Sequence, residues 1–83
     1  MKTLLYYTAG AAKDLKQHGN MAKRIMKAVS EYAADQKAHA NNVIQLSGID
    51  AKRLRGGEFR VIFEETALQI IVTKIGPRGG VYE

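Results

Sequence analysis

"RLRGGEFRVIFEE", residues 53–65, sets two apolar runs on either side of Gly56 and Gly57, and three of its residues are arginine. Alternation of apolar and polar residues around a Gly-Gly pair predicts a β-hairpin. With a two-residue turn at Gly56 and Gly57, Arg55 faces Glu58, Leu54 faces Phe59 and Arg53 faces Arg60. A four-residue loop over 55–58 leaves that register unchanged. Leu54, Phe59, Val61 and Phe63 then share the core face, while Arg53, Arg55, Glu58 and Arg60 share the other. Like charges directly opposite each other cost a sheet roughly 0.2–1 kcal/mol, and Glu58 offsets one arginine of the three. Two readings of that face are open: an anion site, or a solvated sheet face followed by a partly ordered tail.

"TLLYYT" (3–8) is a short β-rich run, and Thr8 caps a helix within "AGAAKDLKQHG" that ends at Gly19. Asn20 caps a second helix, on which Met21, Ile25, Ala28, Val29, Tyr32 and Ala33 recur at steps of three and four and form its core stripe. After "AHANN" the pattern turns to strands: a short apolar piece "NVIQLSG", the hairpin, a turn at "EETA", and the β-branched run "ALQIIVTKI". The fold class is α+β, a small antiparallel sheet with an N-terminal strand and two helices packed on one face, in the order β-α-α-β-β-β. Residues 1–83 read as a single domain, with no repeat, linker or low-complexity segment. The last strand returns to the end of the sheet where the hairpin began, and "GPRGGVY" leaves from that end. Arg78 and Tyr82 therefore come within reach of Arg55 and Arg60.

The 83 residues carry 13 Lys and Arg against eight Asp and Glu, a net charge of +5, with no cysteine. A disulfide framework is excluded, and a reducing compartment fits. His18 and His39 lack ligand spacing to any carboxylate cluster and read as surface residues, so neither a metal nor a cofactor is expected. Tyr6, Tyr7 and Thr8 break the N-terminal apolar run too early for a signal peptide, and no run approaches the roughly 18 apolar residues of a membrane span. The expectation is a soluble, cytoplasmic protein without a membrane partner. The charge fits an anionic partner or plain solubility. Four of the five arginines lie in the strand half, and the helical half is basic mainly through lysine. Arginine grips phosphate through a planar, bidentate fork, and Tyr82 adds a ring on which a base can stack.

The order of elements, the stretch "LRGGEFRVIFEE" and the ending "IGPRGGVYE" resemble the RelE/ParE superfamily of bacterial toxins from type II toxin–antitoxin systems, on its RelE-like branch. The most specific part is an aromatic-Arg-Val-Ile-aromatic strand, then Ile-Gly-x-Arg and a terminal Val-Tyr. On this resemblance the protein is a ribosome-dependent endoribonuclease that cleaves mRNA by attack of a ribose 2′-hydroxyl on the adjacent phosphate. ParE-like members share the fold and poison DNA gyrase, which is the alternative. A third reading is an inactive toxin that survives as a partner in a repressor complex.

Carried over residue by residue, Arg60 and Arg78 stabilise the charge that builds on phosphorus, and Tyr82 orders the RNA. Arg53 and Arg55 match basic strand positions that bind RNA. An ungapped count from Arg60 places a family lysine on Ala51. Lys52 is the candidate catalytic base only if a bulge turns it to the arginine face. Glu58 could serve instead, and otherwise pairs with Arg55. Lys23 and Lys27 on the second helix are assigned to ribosomal RNA. The expected partners are the ribosome with its mRNA and a cognate acidic antitoxin that wraps the helices or adds to the sheet, giving a toxin–antitoxin hetero-oligomer.

Overall fold

The computed structural model describes residues 4–38, 40–46, 51–56, 58–66 and 68–77. Strand β1 (Leu4–Tyr7) leads into α1 (Ala9–Gln17) and α2 (Gly19–Ala34), and a single 3-10 turn (Ala40–Asn42) precedes β2 (Val43–Gln45), β3 (Lys52–Arg55), β4 (Phe59–Glu65) and β5 (Gln69–Pro77). The α+β architecture is as the sequence predicts, and "NVIQLSG" supplies a short strand, β2, so that four strands follow the helices where the predicted order has three. The sheet order is β1-β5-β4-β3-β2. Neighbours from β2 to β5 are antiparallel, as expected, while β1 lies parallel to β5, with Leu5 opposite Ile70 and Tyr7 opposite Val72. The two helices carry the chain from β1 to the far edge of the sheet, where β2 runs opposite to β1, and the antiparallel succession from β2 to β5 brings β5 back beside β1 in the same direction.

Both helices cover one face of the sheet. Ile25, Val29 and Tyr32 of α2 and Ala11 of α1 are buried against Leu54, Phe59, Val61, Phe63, Ile70, Val72 and Ile75, and Met21, Ala28 and Ala33 pack around them. The stripe read from the 3.6-residue period is therefore the helical half of the core. Thr8 caps α1 as its sequence implies, its Oγ1 accepting from Ala11 N–H at 3.1 Å. Asn20 does not cap α2. That position falls to His18, whose side chain makes no capping bond, and Gly19 is already helical. The two helices meet across one residue, so the chain has no room for the separate stop and start that Gly19 and Asn20 imply.

The hairpin register differs from expectation by two residues. Arg55 faces Arg60, Leu54 faces Val61 and Arg53 faces Ile62. The cause is Phe59, whose backbone pairs with Pro77 of β5 rather than with β3. Its carbonyl accepts from Gly56 N–H at 3.1 Å to close the turn, and its ring lies over Gly56. A side chain at Gly56 would stand 2.2 Å from the Phe59 ring, so glycine is required there by close approach. Because the shift is even, every residue paired between β3 and β4 keeps its face, and the separation of an apolar face from an arginine face survives.

Candidate functional site

The sheet face turned away from the helices carries the arginines. Arg55 on β3 and Arg60 on β4 stand directly opposite each other, and Arg53 lies two pairs further along, next on the same face, opposite Ile62. Arg55 is exposed and Arg53 partly so. Arg60 is the one buried charged side chain among the described residues, 6% exposed. Its Nη1 donates to the Phe59 carbonyl at 3.0 Å. A guanidinium held in the sheet by backbone oxygen is a fixed positive charge, and a fixed charge costs little further ordering when an anion arrives.

A fourth cation belongs to this face and escapes a reading by alternation. Ile70 and Val72 are core residues, so strict period-two alternation would place Lys74 in the core as well. The register of β4 and β5 shifts between Ile62 and Phe63: Phe63 faces Val72, but Ile62 faces Lys74 and Val61 faces Ile75. Thr73 is thus the extra residue of a β-bulge, and Lys74 emerges on the arginine face, exposed, while Ile75 enters the core. The signal for it in the sequence is the polarity conflict itself, a lysine at a position where alternation demands an apolar residue.

Lys52 stands on the opposite side. β3 is regular from Lys52 to Arg55, and Lys52 faces Phe63 on the helix-covered face. The bulge that would have turned Lys52 toward the arginines lies instead in the β4–β5 pairing. Lys52 Nζ pairs with Glu65 Oε1 at 3.2 Å, and the same oxygen accepts from the Tyr32 hydroxyl at 2.6 Å. Tyr32 packs on Phe63 with ring centroids 5.3 Å apart. Burial, then the hydrogen bond to Glu65 and its negative charge, push the Tyr32 hydroxyl well above the ordinary tyrosine range. The trio ties α2 to the sheet. Ala51, where the ungapped count puts a lysine, is buried with Ile62 against Leu46.

Glu58 is not on the arginine face. It sits in the turn and reaches Arg24 of α2 at 3.7 Å, with both side chains largely exposed, rather than Arg55. Arg24, Lys27, Ala28 and Glu31 of α2 form, with Gly56 and Phe59, an open groove of about 340 Å³. Lys27 and the exposed Lys23 therefore belong to the helical layer and are not brought together with Arg53, Arg55 and Arg60. Arg78, Tyr82 and His39 lie outside the described residues. β5 does end beside the hairpin turn, with Gly76 opposite Arg60 and Pro77 opposite Phe59. Among the described residues no group of three or more His, Cys, Asp or Glu could hold a metal, and no helix is long and apolar enough to cross a membrane.

No family model matches the chain, and no curated protein matches it in sequence. Solved structures do. The chain is similar to one in the archaeal RelE–RelB complex from Pyrococcus horikoshii, at 23% identity and a TM-score of 0.76, over 98% of this chain and 100% of that one. It is similar to one in the RelB–RelE antitoxin–toxin complex from Methanococcus jannaschii, at 25% identity and a TM-score of 0.66, over 93% and 94%. A chain of the E. coli DinJ–YafQ toxin–antitoxin complex matches at 15% identity and a TM-score of 0.66, over 100% of both. The fold is that of the RelE-like toxins.

Proposed function

We propose that the protein is the toxin of a type II toxin–antitoxin pair and acts as a ribosome-dependent endoribonuclease. The observation that carries this reading is Arg53, Arg55 and Arg60 gathered on the helix-free face of a RelE-like sheet, with Arg60 fixed by a backbone carbonyl. In the reaction, the ribose 2′-oxygen forms a bond to the adjacent phosphorus and the P–O5′ bond breaks. The proton of the 2′-hydroxyl passes to a base, the 5′-oxygen takes up a proton from solvent and leaves as a hydroxyl, and a 2′,3′-cyclic phosphate remains. Negative charge grows on the phosphoryl oxygens, where a preorganised donor contributes about 2.7–4 kcal/mol in oxyanion-type sites. Arg60 and Arg78 take that role, Arg53 and Arg55 grip the flanking strand, and Tyr82 stacks on a base. Lys52 stands outside this assignment because Glu65 holds it on the other face.

The partner proposed is an acidic antitoxin that covers the arginine face. Its affinity should fall steeply as salt rises, and a flat response would argue against contact with these arginines. A second reading, a gyrase-directed toxin with no chemistry of its own, is favoured by one observation: the lysine position on the arginine face holds a buried alanine, Ala51.

Cleavage of a defined mRNA on programmed ribosomes, mapped by primer extension beside free mRNA, separates the two. We expect ribosome-dependent cuts that Arg55→Ala weakens and Arg60→Ala abolishes, with Arg60→Lys and a thermal melt as controls for the buried position. Growth arrest by a folded protein that makes no cuts would move the assignment to gyrase.

A further inference from the structure

We infer that Lys74 is a phosphate contact for single-stranded RNA, aimed onto the arginine face by the bulge at Thr73. This deepens the proposed endonuclease reading by adding a residue to the same site. Arg60 lies on the middle strand of three, with Arg55 directly beside it on β3 and Gly76 directly beside it on β5. Gly76 contributes no side chain, so the nearest side chain that β5 can offer Arg60 on this face is that of Lys74, two residues back and diagonal to it. Lys74 and Arg53 flank Ile62 from its two sides. Four cations thus occupy two adjacent rows of pairs, with Glu64 displaced to the far side of the bulge, opposite Ile71. Between Lys74 and Arg53 stands the apolar Ile62, and among the described residues paired in these two rows none is a carboxylate.

The bulge is held from three sides. Thr8 Oγ1, the cap of α1, donates to the Thr73 carbonyl at 3.5 Å, and Thr73 Oγ1 donates to the Ile62 carbonyl at 3.3 Å. Asp14 Oδ2 of α1 accepts from Ile75 N–H at 3.0 Å, on the edge of β5 that β1 no longer covers. A bulge fixed in this way costs ladder bonds and re-aims one side chain, and the side chain it re-aims is a cation placed beside three others. A lysine ammonium suits a backbone phosphate contact as a point charge, while the arginines supply the directional grip.

The test is anisotropy of a short fluorescein-labelled single-stranded RNA whose riboses are 2′-O-methylated so that it cannot be cut, titrated with the full chain across a range of salt. Each phosphate neutralised on a single strand contributes about 0.7 to the slope of log affinity against log salt. Lys74→Gln should flatten that slope by about 0.7 and weaken binding severalfold at low salt, Lys74→Arg should restore both, and Lys13→Gln on exposed α1 should retain the site-specific slope. A wild-type slope in Lys74→Gln, or equal flattening by Lys13→Gln, overturns the assignment, as does absence of salt-dependent RNA binding by the wild-type chain. Flattening by Lys74→Gln in a protein that makes no cuts on ribosomes upholds the Lys74 contact and refutes the endonuclease reading. Cuts on ribosomes together with an unaltered slope do the reverse.

Discussion

At Gly56 a single hydrogen atom decides the hairpin. The Phe59 ring occupies the volume where a Cβ would stand, while Gly19, at the start of α2, has nothing within 4 Å of that position. Gly56→Ala should therefore destabilise by about 1–3 kcal/mol through overpacking. Gly19→Ala, in a helical conformation with free space, should stabilise by about 0.4–1 kcal/mol. Paired thermal melts check both, and equal effects would mean that the Phe59 contact does not set the turn. Tyr32 is the second residue whose surroundings matter more than its type. Its hydroxyl is a neutral donor to Glu65, and its ionisation is raised above the ordinary 10.0 by burial and by that carboxylate. Above pH 10 the unfolded chain releases the tyrosine proton while the folded chain keeps it. The folded state then binds more protons, and stability falls as pH rises. Tyr7, raised by burial, adds in the same direction. Tyr32→Phe should cost about 1.5–3 kcal/mol at neutral pH, as loss of a hydrogen bond to a charged group, and should make the decline above pH 10 shallower. Urea unfolding at neutral and alkaline pH measures both parts.

Among the elements, α1 acts as the missing neighbour of β5. β1 pairs with β5 from Leu4 and Gln69 only as far as Tyr7 and Val72, after which the chain turns into α1 and leaves the rest of that edge of β5 without a strand. Thr8 N–H donates to the Val72 carbonyl at 3.0 Å as the last bond of that ladder, and Asp14 one helical turn into α1 takes the Ile75 N–H. A short helix with a modest apolar face is thereby fixed in direction by polar contacts at both its start and its middle. Asp14→Ala should cost about 1.5–3 kcal/mol, the range for a hydrogen bond to a charged acceptor. Hydrogen exchange at the Ile75 amide should quicken more than at Ile70. Uniform quickening across β5 would show that Asp14 supports the whole strand rather than the segment after the bulge.

Across the whole molecule the positive charge is split between two surfaces. Lysines and Arg24 lie on the helical layer, beside the groove under the hairpin turn, while Arg53, Arg55, Arg60 and Lys74 lie on the far face of the sheet. The sheet and its core stand between the two sets, so they form two separate surfaces. Reversal of Lys23 and Lys27 to glutamate should reduce cleavage on ribosomes several-fold through loss of ribosomal RNA contacts. Binding of a short free RNA should change by no more than about twofold, because these lysines are remote from the sheet face. Single-turnover cleavage and anisotropy, measured on one preparation of the double variant, give the two numbers. Equal losses in both would show that one continuous surface carries the RNA.

Much of this arrangement is legible along the chain because it follows from local periods. The 3.6-residue recurrence of Ile25, Val29 and Tyr32 names the buried face of α2, and alternation in Leu54, Val61 and Phe63 names the buried face of the hairpin. Thr8 announces α1 through the capping chemistry of its hydroxyl. These features need only neighbours within a few residues, and an even error in register leaves the faces unchanged. What alternation could not reveal are the places where distant segments overrule the local period. The Phe59 ring folds over Gly56 and moves the hairpin by two residues. Alternation already sets Lys52 on the helix side of β3, but its partner there, Glu65 shared with Tyr32, is met only when α2 docks on the sheet, and Glu58 finds Arg24 across the turn. The bulge at Thr73 reverses the sense of alternation and delivers Lys74 to the arginines, held there by Thr8 and Asp14 from the other end of the chain. Local sequence specifies which residues are apolar, helical or extended. The competition for space and hydrogen bonds between segments far apart in the chain decides which charged side chains share a face.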